Sequence, residues 1–574
     1  MSEKKPVPKK KKLIAEHKTI VVGGIVAAVA LAGIVSGIVL FTVEVEKKRG
    51  NIVCAFNFVV DDLDPHSTRG GSWNVFFWSQ VAEGLFEHDY SNPNNRIISN
   101  LAIKGEWSQD LLNFTCTLRK GVKFHDGTPF NATAVKWNFD RIHRLLDYMD
   151  WSYLWRISED KTRINRTEVI DTYIVRFVLN KPYIPFKALL CSPISYMLSP
   201  TSTPADEFID INSTLVGTGP FKFDVCTNTW QGSYIGICVN TTLTANLDYW
   251  GKKPYFDKIR ITDGSYLDRI EGMKSKEISF VEPDRYEEIE AYRNMTDVTI
   301  LEKPGLGVFW LHMNHKLFPV EMRKAISYAF NYTYYLEAAS YYNDIDYGRA
   351  KSPITKGLLY SNWDDFDVPV YDIKVARQAL IDANWPGTSG LTADDDISPG
   401  NEWETLANGP NPLATYNYSY VFDSWFQGNL SLEVAKNLKQ IGVKIEPLGF
   451  NQLEIWIKMF TGDYDFILIG WAPSYNDPAE VINPNFSSKA DGFFNYINFN
   501  DTLIQKWMDE ALEEPDPSAR EKLYYQIQER LIEELYSAIW LGSRVQYYIW
   551  ASNIKGIQQE GPPLKILLKN GYFI

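Results

Sequence analysis

The sequence predicts an α/β protein of more than one lobe, preceded by a single transmembrane helix. Three observations carry this. The chain has 574 residues, too many for one simple core. Strand-like and helix-like runs alternate along it, with long returns that suit a chain crossing between α/β lobes. Thr19–Val43 holds no charged residue, and at about 1.5 Å per residue a helix of that length crosses a ~30 Å hydrocarbon core.

The charge pattern sets the topology. Lys4, Lys5, Lys9 to Lys12 and Lys18 precede the apolar run, and the body after residue 50 is acidic, within a net charge of -13. Positive residues stay inside, so the N-terminal segment 1–18 is cytoplasmic, 19–43 is the anchor, 44–50 is a linker and the body is extracellular. A cleaved signal peptide is the rival reading. The run is long for one, and neither an Ala-x-Ala site nor a lipobox cysteine follows. The acidic body argues against nucleic acid, or anionic lipid, as a main partner. Asn-x-Ser/Thr sequons begin at Asn113, Asn131, Asn165, Asn212, Asn240, Asn294, Asn331, Asn417, Asn429, Asn485 and Asn500. Their spread fits an outside surface, a glycoprotein and an archaeal-type envelope.

The elements follow in order. Ile52–Val60 reads as a strand and Asp61–Pro65 as a turn. Trp73–Phe86 has helical spacing. Phe114–Leu118 alternates as a strand, and the turn His125-Asp-Gly127 leads into a helix over Phe130–Ile142, capped by Asn131 or Thr133, with Val135, Phe139 and Ile142 on one face. Thr172–Leu179 and Phe221–Cys226 are strands, the second after the punctuated turn Val216–Pro220. Val320–Ala329 and Ile373–Ala383 are amphipathic helices. Pro386 to Pro412 is a solvated loop. Leu430–Ile441 is a helix, Val443–Pro447 and Asp465–Trp471 are strands, Leu503–Leu512 and Ala519–Tyr536 are helices, and Val545–Trp550 and Leu564–Leu568 are late strands. Cys226 and Cys238 flank a turn-rich stretch and are placed to cross-link a hairpin outside the cell; two buried thiols is the alternative.

Several segments resemble a known family, and they occur in its order. These are Val81-Ala-Glu-Gly-Leu-Phe-Glu87, the run Arg119–Pro129 (RKGVKFHDGTP), Val216–Pro220, Asn246–Asp257 (NLDYWGKKPYFD), Phe318–Asn331 and Gly470–Pro478 (GWAPSYNDP). Together they resemble the peptide/nickel class of solute-binding proteins, the extracellular receptors of ABC importers. The resemblance implies a periplasmic-binding-protein-like, two-lobed Venus flytrap with an additional domain. We expect lobe I from 51–75, 210–303 and 495–574, the extra domain from 76–209 and lobe II from 304–494. It implies capture of oligopeptides for a membrane permease, with no cofactor. An oligosaccharide receptor of the same family, and a surface sensor or structural glycoprotein without a transport role, are the alternatives.

The resemblance also points to ligand contacts. In relatives the Gly470–Pro478 segment lines the cleft, which nominates Trp471, Ser474 and Tyr475. Phe77, Trp78, Phe309 and Trp310 are further candidates. One departure matters: peptide-binding relatives carry an Asp where this chain has Ser474. A serine accepts a hydrogen bond but does not neutralise a desolvated ammonium group. His125 reads as a turn residue rather than a contact. No serine–histidine–acid, zinc or nucleotide motif is present, so an enzyme is not expected.

Overall fold

A single eleven-stranded sheet runs through the body. The computed structural model describes residues 47–57, 60–67, 73–89, 96–149, 152–158, 161–229, 237–342, 347–488, 498–559 and 566–574. The expected anchor lies outside these, and among the described residues no helix is long and apolar enough to cross a membrane.

Strand β1 (Gly50–Phe56) buries Ile52, Cys54, Ala55 and Phe56, as a central strand covered on both faces must. Helix α1 (Trp73–Val81) is apolar on most sides and sinks into the same core beside Phe221, Leu243 and Ile259. An inserted domain follows. Its sheet, in the order β2 (Ala102–Trp107), β3 (Asn113–Leu118), β5 (Ile174–Leu179), β4 (Ile164–Asp171), is antiparallel throughout. Helix α2 (Ala132–Leu145) covers it, with Val135, Phe139 and Ile142 inward as expected. Asn131 is its cap and accepts from the Ala134 amide at 3.0 Å. The family-like run before α2 is a turn: Gly127 takes φ +88°, a conformation side chains resist, and His125 Nε2 lies 2.9 Å from the Gly219 carbonyl.

The chain then returns to the large sheet with β6 (Phe221–Thr229), β7 (Ile237–Ala245), β8 (Phe256–Asp263) and β9 (Phe280–Val281). The long β10 (Val298–Met313) leads to β11 (Ala414–Val421), helix α3 (Trp425–Lys439), β12 (Val443–Phe450), helix α4 (Gln452–Thr461) and β13 (Phe466–Trp471). Helices α5 (Ala479–Phe486), α6 (Thr502–Glu513) and α7 (Pro517–Glu529) precede β14 (Ala538–Ala551). The strand order is β6-β7-β8-β1-β9-β14-β10-β13-β11-β12, and Tyr347–Arg349 adds to β14. Cys226 and Cys238 are disulfide-bonded across the β6–β7 pair.

Two strands join the halves of this sheet. The first part of β10, Val298–Pro304, pairs with Val545–Ala551, beside β9. The second part, Val308–His312, pairs with Ala538–Ser543, beside β13. Between them the register breaks at Gly305-Leu-Gly307. Pro304 has no amide to donate and the glycines relax the backbone, so β10 bulges where one lobe becomes the other.

Buried contacts group the elements into separate cores. Helix α1 belongs to the lobe I core, and the inserted domain's core runs from Leu85 to Met197 and takes in Val216 and Tyr475. Helices α6 and α7 and the start of β14 belong with lobe II: Ile504, Met508, Tyr524, Ile527 and Trp540 share a core with Val308, Trp310, Ile354 and Phe486. The chain therefore returns to lobe I only within β14. The predicted helix Trp73–Phe86 also ends early, at Val81, because Phe86 starts a strand, Phe86–Asp89.

A buried ion pair fastens the inserted domain to lobe I. Arg141 of α2 reaches Asp64 with both side chains fully enclosed. Asp64 also accepts from the Ile209 amide at 2.9 Å, and Arg141 Nε donates to the Pro204 carbonyl at 2.6 Å. Removing one partner leaves the other charge buried alone. Asp64→Ala is expected to destabilise the body by about 3–5 kcal/mol, read as a lower urea midpoint, whereas Asp206→Ala, at an exposed pair with Arg144, should shift it by less than ~1 kcal/mol.

Candidate functional site

In lobe II the strands β11, β12 and β13 are parallel, so their carboxyl ends meet on one edge. In open α/β sheets ligands lie outside that edge. The residues there are Val421, Phe450 and Trp471, each followed by a turn into a helix or loop.

Helix α4 is built on this edge. Asn451 and Glu454 form a reciprocal capping box at its start, and Gly462, at φ +66°, closes it. Ile455 is buried and Met459 packs with it against Val421, Ile467 and Ile469, with Trp471 alongside. The next face is apolar and open. Leu453 is 70% exposed, Trp456 49%, Ile457 52% and Phe460 48%. These positions follow the i, i+3, i+4, i+7 spacing of one helical face. The Trp456 and Phe460 rings are 6.1 Å apart. Phe422 and Trp425, at the end of β11 and the start of α3, are exposed to 63% and 59%. Water gains nothing from such a surface, and a contiguous apolar patch of this kind marks an interaction site.

The loop after β13 connects lobe II to the inserted domain. Asp477 makes a bidentate pair with Arg520 of α7, at 2.7 and 2.8 Å, and its Oδ1 accepts from the Ala479 amide at the start of α5. Asn476 accepts from the Leu359 amide at 2.8 Å. These contacts hold the loop to its own lobe. Tyr475 points the other way. It is 1% exposed and lies in the core of the inserted domain, where its hydroxyl meets that of Tyr183 at 2.9 Å. The Arg163 guanidinium sits 4.0 Å from the Tyr183 ring centre. The Ile184 amide donates to the Leu512 carbonyl at 2.8 Å, a second tie between the two parts.

Beneath the loop lies Glu480. Its Oε1 accepts from the Ser474 amide and hydroxyl, both at 2.8 Å, and its Oε2 accepts from the Tyr475 amide at 2.9 Å. Burial opposes its charge more strongly than these donors favour it, and its pKa is pushed up to about 8. Ser474 in turn accepts from Ser192 of the inserted domain at 3.3 Å.

The sequence-predicted residues divide. Trp471, Ser474 and Tyr475 meet the inserted domain; Trp471 is half-buried, edge-on to Tyr153 at 6.0 Å. Trp310 is fully buried on the same sheet face, 5.3 Å from His312 and 5.8 Å from Trp540. Phe309 pairs with Gly470 and so lies on the face opposite Trp471; its ring fills the space where a Gly470 side chain would stand. Phe77 and Trp78 are in the lobe I core. Phe77 packs edge-on against Phe223 at 5.8 Å, and Trp78 Nε1 donates to the Asp62 carbonyl at 3.1 Å. The open row on α4 and the acid at 480 were not singled out from sequence. The row has the spacing of a core-facing helix, and only the fold shows that it faces out.

Comparisons with known proteins agree on one group. Residues 96–493 match the model for “Bacterial extracellular solute-binding proteins, family 5 Middle”. The probable D,D-dipeptide-binding periplasmic protein DdpA of Escherichia coli K12 is 24% identical over 484 residues, covering 82% of this chain and 84% of that one. DppA of Helicobacter pylori, solved with the peptide STSA, superposes with a TM-score of 0.68 at 21% identity, covering 92% and 98% of the two chains. NikA of Brucella suis, solved with Fe(III)-EDTA, gives 0.73 at 22%, covering 91% and 100%. At these identities the two structures establish the fold alone.

Glu480 generates a pH prediction. An acid whose folded pKa lies above its ordinary value of 4.5 favours the folded state most below that value, and loses this as pH rises towards 8. Urea unfolding of the wild type against Glu480→Gln should therefore show a difference that grows in favour of the glutamine between about pH 5 and 8. A difference independent of pH would contradict the assignment.

Proposed function

Because the chain belongs to the family 5 extracellular solute-binding proteins, the non-catalytic receptors of peptide/nickel ABC importers, we propose that it captures oligopeptides rich in apolar side chains and delivers them to a membrane permease. The observation that carries this is the open apolar row Leu453, Trp456, Ile457 and Phe460 beside Trp471. A relative named as a probable D,D-dipeptide-binding protein, and a structure solved with the peptide STSA, support the peptide class. A hinged pair of lobes encloses such a ligand and changes shape on closing, which lets a transporter tell loaded from empty.

In this reading the affinity comes from side chains rather than from the peptide's α-ammonium group. Ser474 brings no charge, and Glu480 behind it is already engaged by three donors. Large aromatic faces bury apolar groups at low entropic cost. Trp471 stays as the proposed contact on the loop, while Tyr475, Phe77, Trp78 and Trp310 pack in the cores described above and Phe309 lies on the opposite sheet face. The anchor Thr19–Val43 keeps the receptor near its permease and raises the local concentration. Intact-mass measurement of membrane-extracted protein is expected to include residues 19–43; a mass starting beyond them would refute the anchor.

Calorimetric or thermal-shift titration with oligopeptides tests the ligand. Peptides rich in Leu and Phe should bind, and N-acetylation should change Kd by less than about fivefold, ~1 kcal/mol. Trp456→Ala should weaken binding by about 1–3 kcal/mol while leaving the urea midpoint unchanged, since the ring is half in water. Binding of oligosaccharides but not peptides would move the assignment to sugars, which also stack on the exposed Trp425 and Trp456.

A further inference from the structure

The body is acidic overall, yet the surface that holds Lys47 and the C-terminal Tyr572 is basic and aromatic. Lys47 lies over Tyr572 at 4.8 Å and over Tyr255 at 5.9 Å, and Lys252 over Tyr255 at 5.3 Å. The two tyrosine rings are 5.8 Å apart. Lys253 follows Lys252, and Lys555 pairs directly with Tyr572 across a two-stranded ladder. All four lysines are exposed. The acids along the same segments are Glu44, Glu46, Asp248, Asp257 and Glu560, against Lys48 and Arg49 besides the four lysines, and Asp257 is already bound by Arg49 at 2.7 Å.

This end is also held rigidly. Lys48 exchanges backbone hydrogen bonds with Phe573, and the Phe573 ring packs on Phe256 at 5.4 Å. Lys48 is thus part of the fold. Only Glu44, Val45 and Glu46 separate Lys47 from the apolar run. A chain that short reaches at most about 14 Å, little more than the ~8 Å screening length at physiological salt.

We infer that this surface, Lys47, Lys252, Lys253 and Lys555 with Tyr255 and Tyr572, rests on the phosphate headgroups of the bilayer and fixes the orientation of the receptor above it. The inference relies on the anchor reading above. Lysines bind anionic headgroups within a screening length, and tyrosines favour the interface. The acidic remainder of the body is repelled from the same surface, so attraction and repulsion turn the molecule the same way.

Amine acetylation of the full chain in lipid nanodiscs, read by peptide mass spectrometry, tests this. In phosphatidylglycerol discs at low salt, Lys252, Lys253 and Lys555 should be modified at least threefold more slowly than in phosphatidylcholine discs. The exposed Lys436 and Lys506 should react equally in both, and 1 M salt should abolish the difference. Lys252→Glu with Lys253→Glu should restore fast modification at Lys555. Equal rates in the two lipids, with the chain retained in the disc, would overturn this inference alone. Failure of the chain to stay in the disc would overturn the anchor and the orientation with it.

Discussion

Everything in this body hangs on two strands that pass from one lobe to the other. β10 and β14 pair along most of their length, but their ladder is interrupted where Pro304 is followed by Gly305-Leu-Gly307. A continuous ladder would make the eleven strands one stiff surface. The interruption separates two paired stretches, and a second register shift follows between Phe309 and Trp310. Ser543 donates to the Gly307 carbonyl at 3.0 Å and Thr355 to the Leu306 carbonyl at 3.2 Å. The bulged carbonyls are satisfied locally, so the bend does not depend on pairing elsewhere.

That constraint explains the design of the loop after β13. A segment that meets the opposite part of the molecule must be stiff on its own side, or it would yield instead of transmitting motion. The buried Asp477–Arg520 pair, with Arg520 Nε also donating to the Ala511 carbonyl at 2.7 Å, gives it that stiffness. Such a pair contributes little net stability, but its geometry is demanding. Asn476 adds a second fixed point. Ser474 and Tyr475 face the inserted domain, after Trp471 at the end of the strand.

Much of this was legible in the sequence. The signature around His125 implied a turn and a helix cap, and both are present with Asn131 as the cap. The motifs in series implied the family. The long strand β10 was not legible, because Pro304, Gly305 and Gly307 are the residues that normally end a strand; pairing with β14 on one side and β13 on the other overrides them. Membership of α6 and α7 in lobe II was hidden for a similar reason. Their apolar faces announce a core without saying which one. The site was read as aromatic, and the loop 471–475 was nominated from the resemblance; burial divides the candidates. Phe77 and Trp310 are the kind of residue that fills a core or lines a groove, and composition does not separate the two.

One consequence of Tyr475 concerns the inserted domain rather than the ligand. Its phenol ring is a component of a core otherwise built from Leu85–Met197 and Val216. A swing of lobe II away from the inserted domain would take Tyr475 out of that core and remove the hydroxyl partner of Tyr183. The domain is then complete only while the lobes are together. Its local unfolding, and so its hydrogen exchange and susceptibility to proteases, becomes a property of the whole receptor's posture, even though the domain lies far along the chain from the loop that finishes it.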